Sequence, residues 1–138
     1  MDLKIEELKL IETDLKRRRI PADVKRAVSI MLDKKAERIV VLKMKDLTDI
    51  TDYMIVCHGN SSRQNKAISD EIQVKLREEF KLKPFGVEGV MDAEWILLDY
   101  VDFVIHIFSE ENRKKYAIEK LWMDAKRYNF YPGSEPAR

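Results

Sequence analysis

A chain of 138 residues, 45% apolar and 37% charged, has the size and balance of one soluble globular domain with its own core; it is too polar for a membrane protein and too apolar for a disordered one. No apolar run approaches the roughly 20 residues that a membrane span needs, and acids from Asp2 onward fit neither a secretory signal nor an acid-poor transit peptide, so a cytoplasmic location is expected. The single cysteine, Cys57, excludes an internal disulfide, and the net charge of +1 hides one acidic segment: residues 81–108 hold two bases against five acids, which disfavours a nucleic-acid face there and suits a basic protein partner.

Residues 1–20 predict a weakly amphipathic helix through Leu8, Ile11 and Leu15, ending near "KRRR", where cations favour a helix C-terminus, and Pro21 breaks it. Val24, Ala27, Val28, Met31 and Leu32 form a helical stripe over 22–36. "RIVVLKM" and "YMIVCHG" are short, continuous apolar runs rich in β-branched residues, the pattern of strands covered on both faces; "DLTDITD" connects them, and Gly59 and Asn60 end the second. Ser61 and Gln64 have the spacing of a capping box for a helix over 61–80, whose Ile68, Ile72, Leu76 and Phe80 form a core stripe. "KLKPFG" is an exit loop and "VEGV" a short edge segment. "EWILLDY" and "DFVIHIF", almost touching in sequence, predict an antiparallel hairpin. Ser109 caps a final helix with Ala117, Ile118, Leu121, Trp122 and Ala125 as its apolar face, and "YPGSEPAR" is expected to be loose. The order predicts a single α/β domain: a mixed central sheet of about five strands flanked by helices, with one crossover through the helix at 61–80.

Several residues invite chemical readings, each with a plainer one beside it. Cys57 and His58 are neighbours, so on a strand they point to opposite faces, and with His106 they make a weak metal site; a core cysteine and a hydrogen-bonded strand histidine are the simpler assignment, and no metal is expected. "HGNSSRQNKAISDE" places a glycine before a helix N-terminus that could hold phosphate, but Asp70 and Glu71 are consecutive in a helix and diverge, and the lysine pattern of a P-loop is missing. "KRRR" could touch RNA, yet four cations among acids are more commonly a solvated helix end. In the hairpin, Trp95, Leu97 and Asp99 share one strand face and Ile96, Leu98 and Tyr100 the other. Asp99 and Asp102 have no nucleophile or metal set nearby and are ordinary turn residues. A Trp and a Tyr beside acids also match a protein interface, so periodicity alone leaves a core hairpin and an interface strand both open.

Together, "DLTDITDYMIVCHGNSSRQNKAI", "GVEG", "EWILLDYVDFVIHIF" and "RKKYAIEKLW" resemble the ribosome silencing factor, or Iojap, family, in the expected order and over about residues 24–127. The resemblance implies a domain at 21–128, an N-terminal extension at 1–20 and a loose tail at 129–138, with the fold of nucleotidyltransferases but without their catalytic carboxylates. It implies no enzyme and no cofactor. The implied function is binding of large-subunit ribosomal protein number fourteen on the face where the small subunit docks, which blocks subunit joining and represses translation, with a role in large-subunit maturation in organelle relatives. Trp95, Leu97, Leu98, Asp99, Tyr100 and Asp102 match the partner-facing segment of the family. Homodimers occur among such proteins, and direct contact with ribosomal RNA through "KRRR" or the basic final helix is a secondary reading. Val101 stands where such proteins often have glycine.

Overall fold

The computed structural model describes residues 4–133. The elements are α1 (Ile5–Arg17), α2 (Ala22–Asp33), β1 (Glu37–Lys43), β2 (Tyr53–Gly59), α3 (Ser62–Phe80), β3 (Gly86–Glu88), β4 (Trp95–Asp99), β5 (Phe103–Ser109), α4 (Glu110–Tyr116), α5 (Ile118–Leu121) and β6 (Lys126–Phe130). The six strands form one open sheet in the order β3-β4-β5-β2-β1-β6. β2 and β5 run parallel, and every other neighbouring pair is antiparallel.

The sheet has two unequal faces because its strands alternate. Ile39 and Val41 of β1, Ile55 and Cys57 of β2, Ile96 and Leu98 of β4, and Phe103, Ile105 and Ile107 of β5 point to one side. There they meet Val24, Val28 and Met31 of α2 and Ile68, Ile72 and Leu76 of α3 in the main core. α1 seals the edge of that core with Ile11 and Leu15. On the other side, Val40, Leu42, Met44 and Ala125 form a small cluster beneath Trp122 and Tyr131. Helices therefore cover one face fully, while on the opposite face burial extends over β1, β2 and β5 (Val40, Val56, Phe108) and falls off at β4, where Trp95 and Leu97 are half-buried.

Local signals explain most boundaries. Ser61 accepts a hydrogen bond from Gln64 N at 3.1 Å and caps α3. The Gln64 side chain reaches back one residue further than a standard box, accepting from Asn60 N. Ser109 caps α4 through Asn112 N, with Glu110 and Glu111 in the first turn. "KRRR" straddles the end of α1, where Arg17 and Arg18 both pair with Asp14 at 3.1 and 3.0 Å; Arg17 is exposed, whereas the Arg18 guanidinium is largely buried, unlike a wholly solvated helix end.

Three expectations need correction. The final helix does not run on from Ser109: Ala117 takes a left-handed backbone (φ 45°), which splits it into α4 and α5 and leaves Leu121 74% exposed instead of facing a core. The chain then forms β6, an additional strand on the edge of β1, so the sheet has six strands and not about five. Asn129 and Phe130 belong to that strand and not to a loose tail, since Tyr128 and Phe130 alternate inward to the main core. Residues 134–138 of the expected tail lie outside the described residues.

Candidate protein-docking surface

The hairpin of β4 and β5 is joined by a turn at residues 100–102. Asp99 Oδ1 accepts from Val101 N at 2.8 Å, Tyr100 N donates to Phe103 O at 2.9 Å, and Asp102 N donates to Tyr100 O at 2.8 Å. Asp99 and Asp102 are thus turn-formers. The turn is tied to the β1–β2 connection: Thr51 Oγ1 donates to Val101 O, and the amides of Asp52 and Tyr53 donate to Asp102 O. Val101 sits in the left-handed region at φ 71°, a conformation that a β-branched side chain resists and glycine accepts.

The register sorts the six hairpin residues. Leu98 and Tyr100 point into the main core; Leu98 is fully buried, and the Tyr100 ring stacks on Phe103 at 4.9 Å. Burial pushes the Tyr100 phenol up to about 12. Trp95, Leu97 and Asp99 point to the other face, each half-buried, and Asp102 is exposed on the turn. Among the described residues, the helix that reaches this part of the sheet is α4, whose Tyr116 ring meets Trp95 at 4.7 Å.

Cross-strand neighbours hold Trp95. Trp95 stands opposite Phe108, and Leu97 opposite His106. The indole contacts Phe108 at 4.9 Å between centroids, and its Nε1 donates to His106 Nδ1 at 3.0 Å. Since Nδ1 accepts, the imidazole carries its proton on Nε2 and is neutral. Burial agrees, lowering the His106 pKa to about 4. Trp95 is therefore a large ring fixed by one hydrogen bond and flanking aromatics while part of it stays open. A partner meeting a side chain already fixed loses little rotamer entropy on binding.

Exposed apolar side chains extend this surface around the acidic turn. Phe85 is 83% exposed, and its amide donates to Asp99 O, which continues the β3–β4 ladder. Val101 is 57% exposed, and Ile50, next to Thr51, is 80% exposed. Apolar groups beside Asp99 and Asp102, on the most acidic stretch of the chain, give an interface-like patch. Neither Phe85 nor Ile50 stood out in the sequence, because each is a lone apolar residue in a polar loop. His106 as the partner of Trp95 needs the strand register, which period-2 patterning alone does not supply.

The alternative chemical readings find little geometry. Asp70 is exposed and Glu71 half-buried on successive positions of α3, and among the described residues no group of three His, Cys, Asp or Glu side chains could hold a metal ion. Cys57 is fully buried, and its thiol is pushed up to about 12 by burial, which makes it a core hydrophobe. Among the described residues, no helix is long and apolar enough to cross a membrane.

Comparison with known proteins agrees with the architecture. Residues 17–137 match the family described as ribosomal silencing factor during starvation. The chain is 42% identical to the ribosomal silencing factor RsfS of Halalkalibacterium halodurans over 99 residues, covering 72% of this chain and 84% of that one. It is 30% identical to the Mus musculus protein named mitochondrial assembly of ribosomal large subunit protein 1, covering 72% of this chain and 45% of that longer one. A crystal structure of a Chromobacterium violaceum protein superposes with a TM-score of 0.68 at 30% identity, over 98% of this chain and 92% of that one. The sheet order, the hairpin and these matches together place the chain in the family of ribosomal silencing factors.

Proposed function

We propose that this protein silences ribosomes by docking the outer face of its β4–β5 hairpin onto large-subunit ribosomal protein number fourteen. The contact group is Trp95, Leu97, Asp99 and Asp102, with Leu98 and Tyr100 supporting the strand from its buried side. The observation that carries this reading is the fixed, half-open Trp95 ring, on a sheet face that α4 reaches only through Tyr116, beside two carboxylates. Interface anchors are characteristically such aromatic residues.

The mechanism is steric. An interface of standard size buries roughly 1,600 Å² in total and needs no bond chemistry. A domain fixed there occupies volume that the small subunit needs, so subunits do not join and translation falls. The excess of acids over residues 81–108 complements a basic ribosomal protein and speeds encounter. The protein acts without catalysis in the cytoplasm; self-association and contact with ribosomal RNA are secondary to the hairpin contact. The test is a binding titration of the purified protein against isolated ribosomal protein fourteen, with Leu97→Glu as the control variant. Saturable binding that this variant abolishes is expected; no binding, or binding indifferent to Leu97→Glu, would move the docking surface elsewhere.

A further inference from the structure

At the end of the sheet opposite the 100–102 turn lies a second site-like feature that the docking surface does not use. β2 and β5 are the parallel pair, and their carboxyl ends lie side by side at Gly59 and Ser109. From β2 the chain passes into α3, whose Ile68 and Ile72 pack on the main core. From β5 it passes into α4, whose Arg113 and Tyr116 meet His58 and Trp95 on the other face. Parallel strands whose exits part to opposite faces leave a crevice at their carboxyl ends, the general ligand position of open α/β sheets.

Two hollows meet in that crevice, of about 530 and 390 Å³, both bordered by Arg38, His58 and Glu110. Each falls within the range of small-molecule sites, roughly 300–1,000 Å³. The larger has an apolar side made by Leu8, Leu32, Phe130 and Tyr131 and a polar side that carries the carboxylates of Asp33, Glu37 and Glu110. The smaller is cationic, with five basic side chains against two carboxylates. Glu119 binds two of the five: Arg113 at 3.0 Å and Arg127 at 3.0 Å. Arg113 is itself buried and also donates to His58 Nδ1 at 3.0 Å and to the Glu37 carbonyl at 3.3 Å. A guanidinium only donates, so His58 accepts at Nδ1, while its Nε2 faces the Glu37 carboxylate at 3.3 Å and that of Glu110 at 3.8 Å; Glu110 borders both hollows and Glu37 the larger one. Lys114, Lys120 and Arg38 complete the cationic lining, with Arg38 close enough to Glu119 to help lower its carboxyl pKa.

The backbone at the entrance is also shaped. Lys35 and Arg38 are left-handed at φ 62° and 48°, and the β1–β2 register slips between Glu37 and Val40. Bulges and strained residues of this kind re-aim side chains and gather at ligand sites. Here the guanidinium of Arg38 lies over the Tyr131 ring, 4.2 Å from its centroid, at the junction of the two hollows.

We infer that this crevice binds a nucleoside phosphate, with the base against Tyr131 on the apolar side of the larger hollow and the phosphates among Lys114, Lys120 and Arg38 in the smaller, cationic one. A planar ring joined to a multiply charged anion is the small-molecule class that fills both halves at once. α4 links this site to the docking surface, since its Arg113 borders the crevice while its Tyr116 touches Trp95.

Calorimetric titration of the full chain with ADP, with pyrophosphate and with adenosine tests this, without added divalent metal so that the phosphates meet only the protein's own cations. ADP is expected to bind with a dissociation constant of about 1 mM or tighter, and tighter than pyrophosphate or adenosine alone. Lys114→Gln with Lys120→Gln, both exposed positions that leave the fold alone, should weaken ADP and pyrophosphate about tenfold. Tyr131→Leu should weaken ADP severalfold and leave pyrophosphate unchanged. Absence of ADP binding at millimolar concentration, or ADP affinity indifferent to the lysine pair, overturns the proposal. So does pyrophosphate binding as tightly as ADP with no effect of Tyr131→Leu, which would leave a mere anion patch.

Discussion

Replacing Trp95 by alanine separates the packing role of the hairpin tryptophan from its proposed docking role. Within the fold, the substitution removes the Nε1 hydrogen bond to His106 and the ring contacts with Phe108 and Tyr116. A net hydrogen bond is worth about 1 kcal/mol and each aromatic contact about 0.5–1.5 kcal/mol, so the stability loss is about 3 kcal/mol, short of what unfolds a typical domain. At the interface, truncating an aromatic anchor costs about 2 kcal/mol or more, a loss of roughly thirtyfold in affinity. The two effects are told apart with a second variant. His106→Leu removes the hydrogen-bond acceptor but keeps the indole, so it should lower stability while leaving most of the affinity. Denaturant unfolding gives the stability of each variant, and co-sedimentation with purified large subunits gives its affinity. If folded Trp95→Ala bound large subunits as tightly as the parent, the ring would be only a packing residue and the docking reasoning would fail.

Three further outcomes are expected. Asp99→Asn keeps an oxygen for the Val101 amide but loses the charge, and Asp102→Lys reverses a charge on the exposed turn; both should slow association with large subunits, more strongly at low salt, and a loss that ignores ionic strength would argue against electrostatic steering. Val101→Gly should raise stability by about 0.5–1 kcal/mol in denaturant unfolding, because relief of about 1–2 kcal/mol of left-handed strain exceeds the extra entropy of an unfolded glycine. His106 has a pKa near 4 in the fold against 6.5 ordinarily, so the unfolded chain takes up its proton first as pH falls. Its contribution is complete above pH 6.5 and is lost towards pH 4, about 3 kcal/mol in all, and His106→Leu should flatten that part of the stability–pH profile.

Much of this fold was legible from local patterning. "YMIVCHG" forms β2 residue for residue, and Ser61 caps α3, because apolar runs and caps are short-range signals. The C-terminal strand was not legible. Ala117 adopts a left-handed turn with no glycine to announce it, so a run of helix-forming residues read as one helix. "KRYNF" offers only two inward aromatics, and its strand character comes from the open edge of β1, a tertiary fact. For the site, alternation grouped Trp95, Leu97 and Asp99 correctly on one face. It could not say that this face was the open one, because that depends on α2 and α3 both packing against the other side. The second, cationic crevice was invisible for the same reason: Arg38, His58, Arg113 and Lys120 are far apart in the chain and converge only where two parallel strands end.

The central claim is that the domain silences by occupying space on the large subunit. Its most direct test is a sucrose-gradient joining assay with purified small and large subunits and saturating protein. The 70S peak should fall while this protein co-migrates with free large subunits, and a Leu97→Glu variant should restore joining. Subunits that associate fully in the presence of saturating protein would contradict the account.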